Sequence, residues 1–228
     1  MRKTLFRFLF YAVCMSATAY MLLYLSRGGA LWLNVDVGGV GTSEFSPLEQ
    51  FQHACLLACI GVFLWIAARD RLRRPMALGW ATLFGVFLIR ELDYVFDQIL
   101  VDNLWQVSCA VLLAFSGVYL FRHRQRFANG WRRSWPSAGL GMVLAGLLLL
   151  IPFTQIVVSS ELWSAVMEDD YRQSVKVAAE ELMELGAYLI ILIGSVEFLY
   201  SWSRLPQTKL IGALPKQRPR KKAAKRRG

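Results

Sequence analysis

Histidine is nearly missing from this 228-residue chain: His53 and His123 are the only two. Two imidazoles are too few for the multi-histidine sites that hold catalytic zinc. The four cysteines, Cys14, Cys55, Cys59 and Cys109, are scattered through apolar segments, with neither a disulfide framework nor metal-ligand spacing. Cys55 and Cys59 share a helical face at i,i+4 and read as small core residues. A phosphate loop is also absent. Gly38-Gly39-Val40-Gly41-Thr42-Ser43 lacks the Gly-Lys-Ser/Thr ending and reads as a flexible loop. No polar connection is long enough for a separate water-soluble domain, and no internal repeat is evident.

What is present is apolar. Hydrophobic residues make up 56% of the chain and the mean hydropathy is +0.40, above an ordinary globular domain. They fall in six blocks, at about 5–26, 49–68, 76–98, 104–121, 136–158 and 178–203, each long enough to cross a hydrocarbon layer of roughly 30 Å. Lipid offers no partner to an open backbone, so the blocks are expected to be helices. The expected fold is therefore all-α: a polytopic six-transmembrane-helix bundle over residues 1–203. The first block follows Arg2, Lys3 and Arg7, and Ala17-Thr18-Ala19 imitates a cleavage site, but the apolar run continues through Leu25. A retained anchor is expected rather than a signal peptide.

The net charge of +10 belongs to the tail. Residues 204–228 carry ten Lys or Arg and no acid, which leaves 16 basic and 16 acidic residues in 1–203. This tail is expected to be disordered and to hold anionic lipid headgroups, at roughly 1 kcal/mol per basic residue near the surface. Aromatic interleaving is lacking, so nucleic acid is not an expected partner. Arginines also mark the amino terminus, the 69–74 connection and the 122–133 connection. The Lys/Arg bias places all four regions on the cytoplasmic side of a bacterial-type inner membrane, with both termini inside.

That orientation sends 14 of the 16 carboxylates to the outer side, all but Asp70 and Glu197. The last apolar block opens with Glu180, Glu181 and Glu184, of which Glu180 and Glu184 share a face. In the second block Glu49, Gln52 and His53 line one face. The third block is apolar only from Met76 to Ile89, so a full span carries Arg90, Glu91 and Asp93 inward. Arg90, Asp93 and Asp97 fall on one face, and Glu91 points about 100° away. A central charge costs about 2.5–3.5 kcal/mol on insertion scales, so partners inside the bundle are expected. In the fifth block Gly141-x-x-x-Ala145 is the expected close-packing face. Pro152 frees a backbone carbonyl, and Gln155 adds a polar group at the depth of the acids. Residues 159–177 are expected to hold an interfacial helix, and Glu197 to pair with cytoplasmic arginines.

These residues point to an outward-facing carboxylate/His pocket. Glu180, Glu184, Glu49 and His53 are the candidate catalytic groups, with Arg90 and Gln155 contacting substrate. A metal set would comprise Glu49, His53, Glu91, Asp93, Glu180 and Glu184, and its oxygen-rich chemistry suits calcium, magnesium or a di-metal centre. Such a site reads as a metal-assisted or acid/base enzyme acting on a lipid or cell-envelope substrate. Two other classes fit the same residues: a structural scaffold of an envelope complex, and a proton- or cation-coupled transporter, which at six helices calls for a homodimer. Seven-helix membrane hydrolases of the ceramidase and progestin-receptor type are similar in architecture only, since their metal histidines have no counterpart here.

Overall fold

The computed structural model describes residues 2–27, 46–93, 104–135, 137–168 and 173–204, and every element among them is a helix. The Gly38–Ser43 segment, Asp97 and the basic tail beyond Arg204 lie outside the described residues. Helix α1 covers Arg2–Arg27, α2 Pro47–Arg69, α3 Arg74–Glu91 and α4 Leu104–Arg122. They are followed by α5 (Arg124–Ser134), α6 (Ala138–Val158), α7 (Ser160–Met167) and α8 (Gln173–Arg204). Five of these, α1, α2, α4, α6 and α8, are long and apolar enough to cross a membrane. The chain is a membrane-embedded helical protein.

The helix ends follow local chemistry. Ser46 Oγ accepts the Glu49 N–H at 3.2 Å, and Pro47 opens α2, where its missing N–H costs nothing. Ser137 does the same for α6 through the Leu140 N–H at 3.2 Å. Helix α3 departs from expectation. It ends at Glu91, with Leu92 leaving helical geometry, and residues 94–98 of the expected span lie outside the described residues. Ending there puts the Arg90 cation at the negative end of the helix dipole.

Helix α8 is the centre of the bundle, packed against α6 on one side and α2 on the other. Helix α2 continues onto α3, which carries α4 and α5. Water is excluded from such contacts beforehand, so close van der Waals approach must hold them. Gly139 of α6 and Gly194 of α8 supply it. A Cβ on Gly194 would stand 2.7 Å from Val143 N and 2.8 Å from Gly139 O, and one on Gly139 would collide with Phe198 N. Gly146 lies against Ile191 on the same face. The expected pair is wrong: Gly141 faces open space and Ala145 is exposed. Small residues occur on several faces of α6, and only the partner glycine on α8 selects among them.

Aromatic rings fill the middle. Phe63 stands 6.0 Å from Trp80, 5.7 Å from Phe84 and 5.9 Å from Phe198 between ring centres. Pro152 sits in a π-helical turn, Leu149–Phe153. Within that turn Leu149 O accepts both the Thr154 N–H and the Thr154 hydroxyl, the latter at 3.3 Å.

Helix α5 falls in what the sequence presented as a basic connection. Its Phe127, Gly130, Trp131 and Ser134 turn toward α3, with Gly130 against the Leu72 carbonyl, while Arg126, Arg132 and Arg133 are exposed. Helix α7 occupies part of the 159–177 segment where an interfacial helix was expected, and it buries no residue.

Candidate functional site

One end of the bundle gathers polar groups from α2, α3 and α8. Glu91 lies at the last turn of α3, and its Oε1 accepts the Tyr188 hydroxyl of α8 at 2.7 Å. Arg90 Nη2 reaches the same Glu91 oxygen and Glu184 Oε1, both at the long distance of 3.5 Å. The Arg90 side chain is 51% exposed, against 7% for Glu184, so the guanidinium stands at the mouth and the carboxylate inside. One turn earlier on α8, Gln52 Nε2 of α2 donates to Glu181 Oε2 at 3.0 Å and to the Glu181 carbonyl at 3.1 Å. Gln52 is fully buried, and its Oε1 accepts no hydrogen bond among the described residues. Tyr188, Glu184 and Glu181 recur at i−4 and i−7, so one stripe of α8 supplies all three.

The expected residues divide. Glu184, Arg90 and Glu91 come together. Glu180 and Asp93 are half-buried at the same end, with Glu180 near Lys176 and Arg90. Glu49 and His53 are half-buried on α2, one on each side of Gln52 in sequence, and among the described residues no hydrogen bond joins His53 to the cluster. Gln155 is exposed and takes no part; its neighbour Thr154 is the buried one, turned back onto Leu149. The π turn before it resets the helical phase, which a regular wheel does not anticipate. Among the described residues no three His, Cys, Asp or Glu side chains are arranged to hold a metal ion. The six-residue ligand set is therefore not assembled.

Glu181 and Gln52 were placed on their helices by the sequence but given no role, and Tyr188 was not singled out. Glu181, Gln52 and Tyr188 make the shortest bonds of the cluster. The signal existed: Gln52 sits between Glu49 and His53, and Tyr188 follows Glu184 at i+4. Attention to formal charge passed over both neutral groups.

The opposite end holds two polar groups of another kind. Asp70, between α2 and α3, accepts Arg73 Nη1 at 2.6 Å and Trp202 Nε1 at 3.1 Å, and caps the Leu72 and Arg73 amides. Arg73 Nε goes on to Ser134 Oγ of α5 at 3.1 Å, and all four side chains are buried. Burial pulls the Asp70 carboxyl upward, but the Trp202 and Arg73 hydrogen bonds outweigh it and hold the group below its ordinary range. Beside this, Glu197 of α8 pairs with Arg7 of α1 at 3.2 Å and accepts the Tyr11 hydroxyl at 2.7 Å. Arg7 also lies over the Tyr200 ring at 4.2 Å. Glu197 thus pairs with an arginine, and the arginine comes from the first helix.

No family model, no curated protein and no solved structure matches this chain. The functional reading rests on the site alone.

Proposed function

We propose that the Gln52–Arg90–Glu91–Glu181–Glu184–Tyr188 cluster is a membrane-embedded acid/base site of an enzyme acting on a lipid or cell-envelope substrate. In this reading α3, about 27 Å long at 1.5 Å per residue over its 18 residues, is a sixth crossing. Both termini and the Arg7, Asp70 and Glu197 groups then face the cytoplasm of a bacterial-type inner membrane. The cluster faces out, and the basic tail lies on anionic headgroups.

The observation that carries the reading is a mismatch of charge. Glu91, Glu181 and Glu184 crowd together within the helix packing, while the guanidinium that reaches Glu91 and Glu184 belongs to a half-exposed side chain at 3.5 Å. Glu184, a buried carboxylate held this loosely, is available for proton exchange, which a general acid or base needs. Glu184 takes the proton-handling role. Tyr188 orients Glu91 through its hydroxyl, Gln52 orients Glu181, and Arg90 at the mouth attracts an anionic headgroup. Acid/base chemistry is favoured over metal assistance because the described carboxylates do not converge on one ion.

A scaffold remains the second reading, favoured by the bond from Tyr188 to Glu91, which ties α3 to α8. The lipid profile of a deletion strain separates the two. On the acid/base reading the strain accumulates an unprocessed envelope lipid, the parent gene restores the profile, and the Glu184→Gln gene does not. An unchanged lipid profile in the deletion strain contradicts the reading.

A further inference from the structure

Helix α1 touches the bundle in an uneven way. Near its amino end it is fastened to α8 by Arg7 and Tyr11 on Glu197, at 3.2 and 2.7 Å. Farther along, the two helices leave a crevice of about 400 Å³ between Met15, Thr18 and Leu22 of α1 and Leu182, Gly186 and Leu189 of α8. On α8 these residues interleave with Glu181, Glu184 and Tyr188. At about 100° per residue Glu181 lies at the edge of the crevice face, between it and the Arg90 side. The crevice is thus almost wholly apolar, and its Leu182 is the sequence neighbour of Glu181, the partner of Gln52.

We infer that this crevice seats one acyl chain of a membrane phospholipid, with its headgroup toward Glu181 and Arg90. The inference rests on the acid/base reading for its function, and gives that reading its substrate class: an acyl lipid entering sideways between α1 and α8. Size favours a single acyl chain over a helix from a second copy. A helix about 10 Å across fills such a volume within about one turn, whereas a single hydrocarbon chain threads it lengthwise. Arg90, past Glu181 from the crevice, supplies a cation for the phosphate.

Photolabelling tests it. The full chain is placed in vesicles of phosphatidylethanolamine and phosphatidylglycerol containing a phospholipid with a diazirine on its acyl chain, and labelled peptides are mapped. Peptides from 15–26 and 182–189 should be enriched over those of α4, whose face is open to bulk lipid. Gly186→Leu should cut that enrichment several-fold, because a Cβ at Gly186 meets nothing within 4 Å and the new side chain fills the space without displacing backbone. Thr18→Leu should do the same from the α1 side. Gly117→Leu, on α4 with equal room, should leave it unchanged. Equal labelling of crevice and α4 peptides, or enrichment indifferent to both filling variants, overturns the inference. So does a cross-link between copies formed by Ala19→Cys, which would place a second chain there. A labelled crevice with a Glu184→Gln gene that still restores the lipid profile sinks the acid/base reading alone. An unlabelled crevice with an inactive Glu184→Gln gene sinks the crevice alone.

Discussion

The two ends of the bundle treat buried charge in opposite ways. At the Asp70 end each acid has a dedicated cation at short range, 2.6 Å for Arg73 and 3.2 Å for Arg7 on Glu197, with neutral donors on the second oxygen, backbone amides for Asp70 and the Tyr11 hydroxyl for Glu197. At the Glu184 end two carboxylates share one guanidinium at 3.5 Å, and a buried carboxamide oxygen accepts nothing among the described residues. Matched groups immobilise helices. Mismatched groups cost stability, and a chain that keeps them is spending that stability on something other than the fold.

Breaking the matched end should give the largest loss. Asp70→Ala strands the Arg73 guanidinium among buried side chains and removes the acceptor for Trp202, a change of about 3–5 kcal/mol. Thermal unfolding in lipid nanodiscs should register it as a large drop in midpoint. Next in size is the glycine crossing. Gly194→Leu forces α6 and α8 apart at Val143 and Gly139 and should cost about 1–3 kcal/mol, while Gly141→Leu, aimed at open space, should leave the midpoint in place. The mismatched end should respond less: Tyr188→Phe removes one hydrogen bond to Glu91 and should cost about 0.5–1.5 kcal/mol in the same assay.

Acidity sharpens the comparison with the smallest effect. The Asp70 carboxyl lies below its ordinary value in the folded chain, so its stabilisation is complete above the unfolded value of about 3.9 and lost as pH falls through the lower folded value. The midpoint difference between the parent and Asp70→Asn should therefore hold steady from about pH 7 to pH 5 and narrow below about pH 4. A difference that narrows already near neutrality would mean that Asp70 is not held in this way.

Much of this division can be traced to the sequence, and the rest was hidden for identifiable reasons. Apolar length alone located α2 and α4 to within two residues, because membrane crossing fixes helix length and Ser46 with Pro47 marks a start. The approach of Arg90 to Glu184 followed from the cost of leaving either alone in lipid. Helix α5 was concealed by its arginines, although Phe127, Gly130, Trp131 and Ser134 already carry the i,i+3,i+4,i+7 spacing of a buried stripe. The glycine crossing needed both helices at once, since nothing in α6 alone prefers Gly139 to Gly141. Gln155 was misplaced by a π turn that only the Pro152 neighbourhood, folded, reveals.

Thermal unfolding of Glu184→Gln beside Arg73→Gln, in the same nanodiscs, tests most directly whether the two ends differ in kind. Removing a crowded carboxylate should leave the Glu184→Gln midpoint at or above that of the parent, while Arg73→Gln falls well below it. A Glu184→Gln midpoint as low as that of Arg73→Gln would contradict the account, making the acid end another structural clasp.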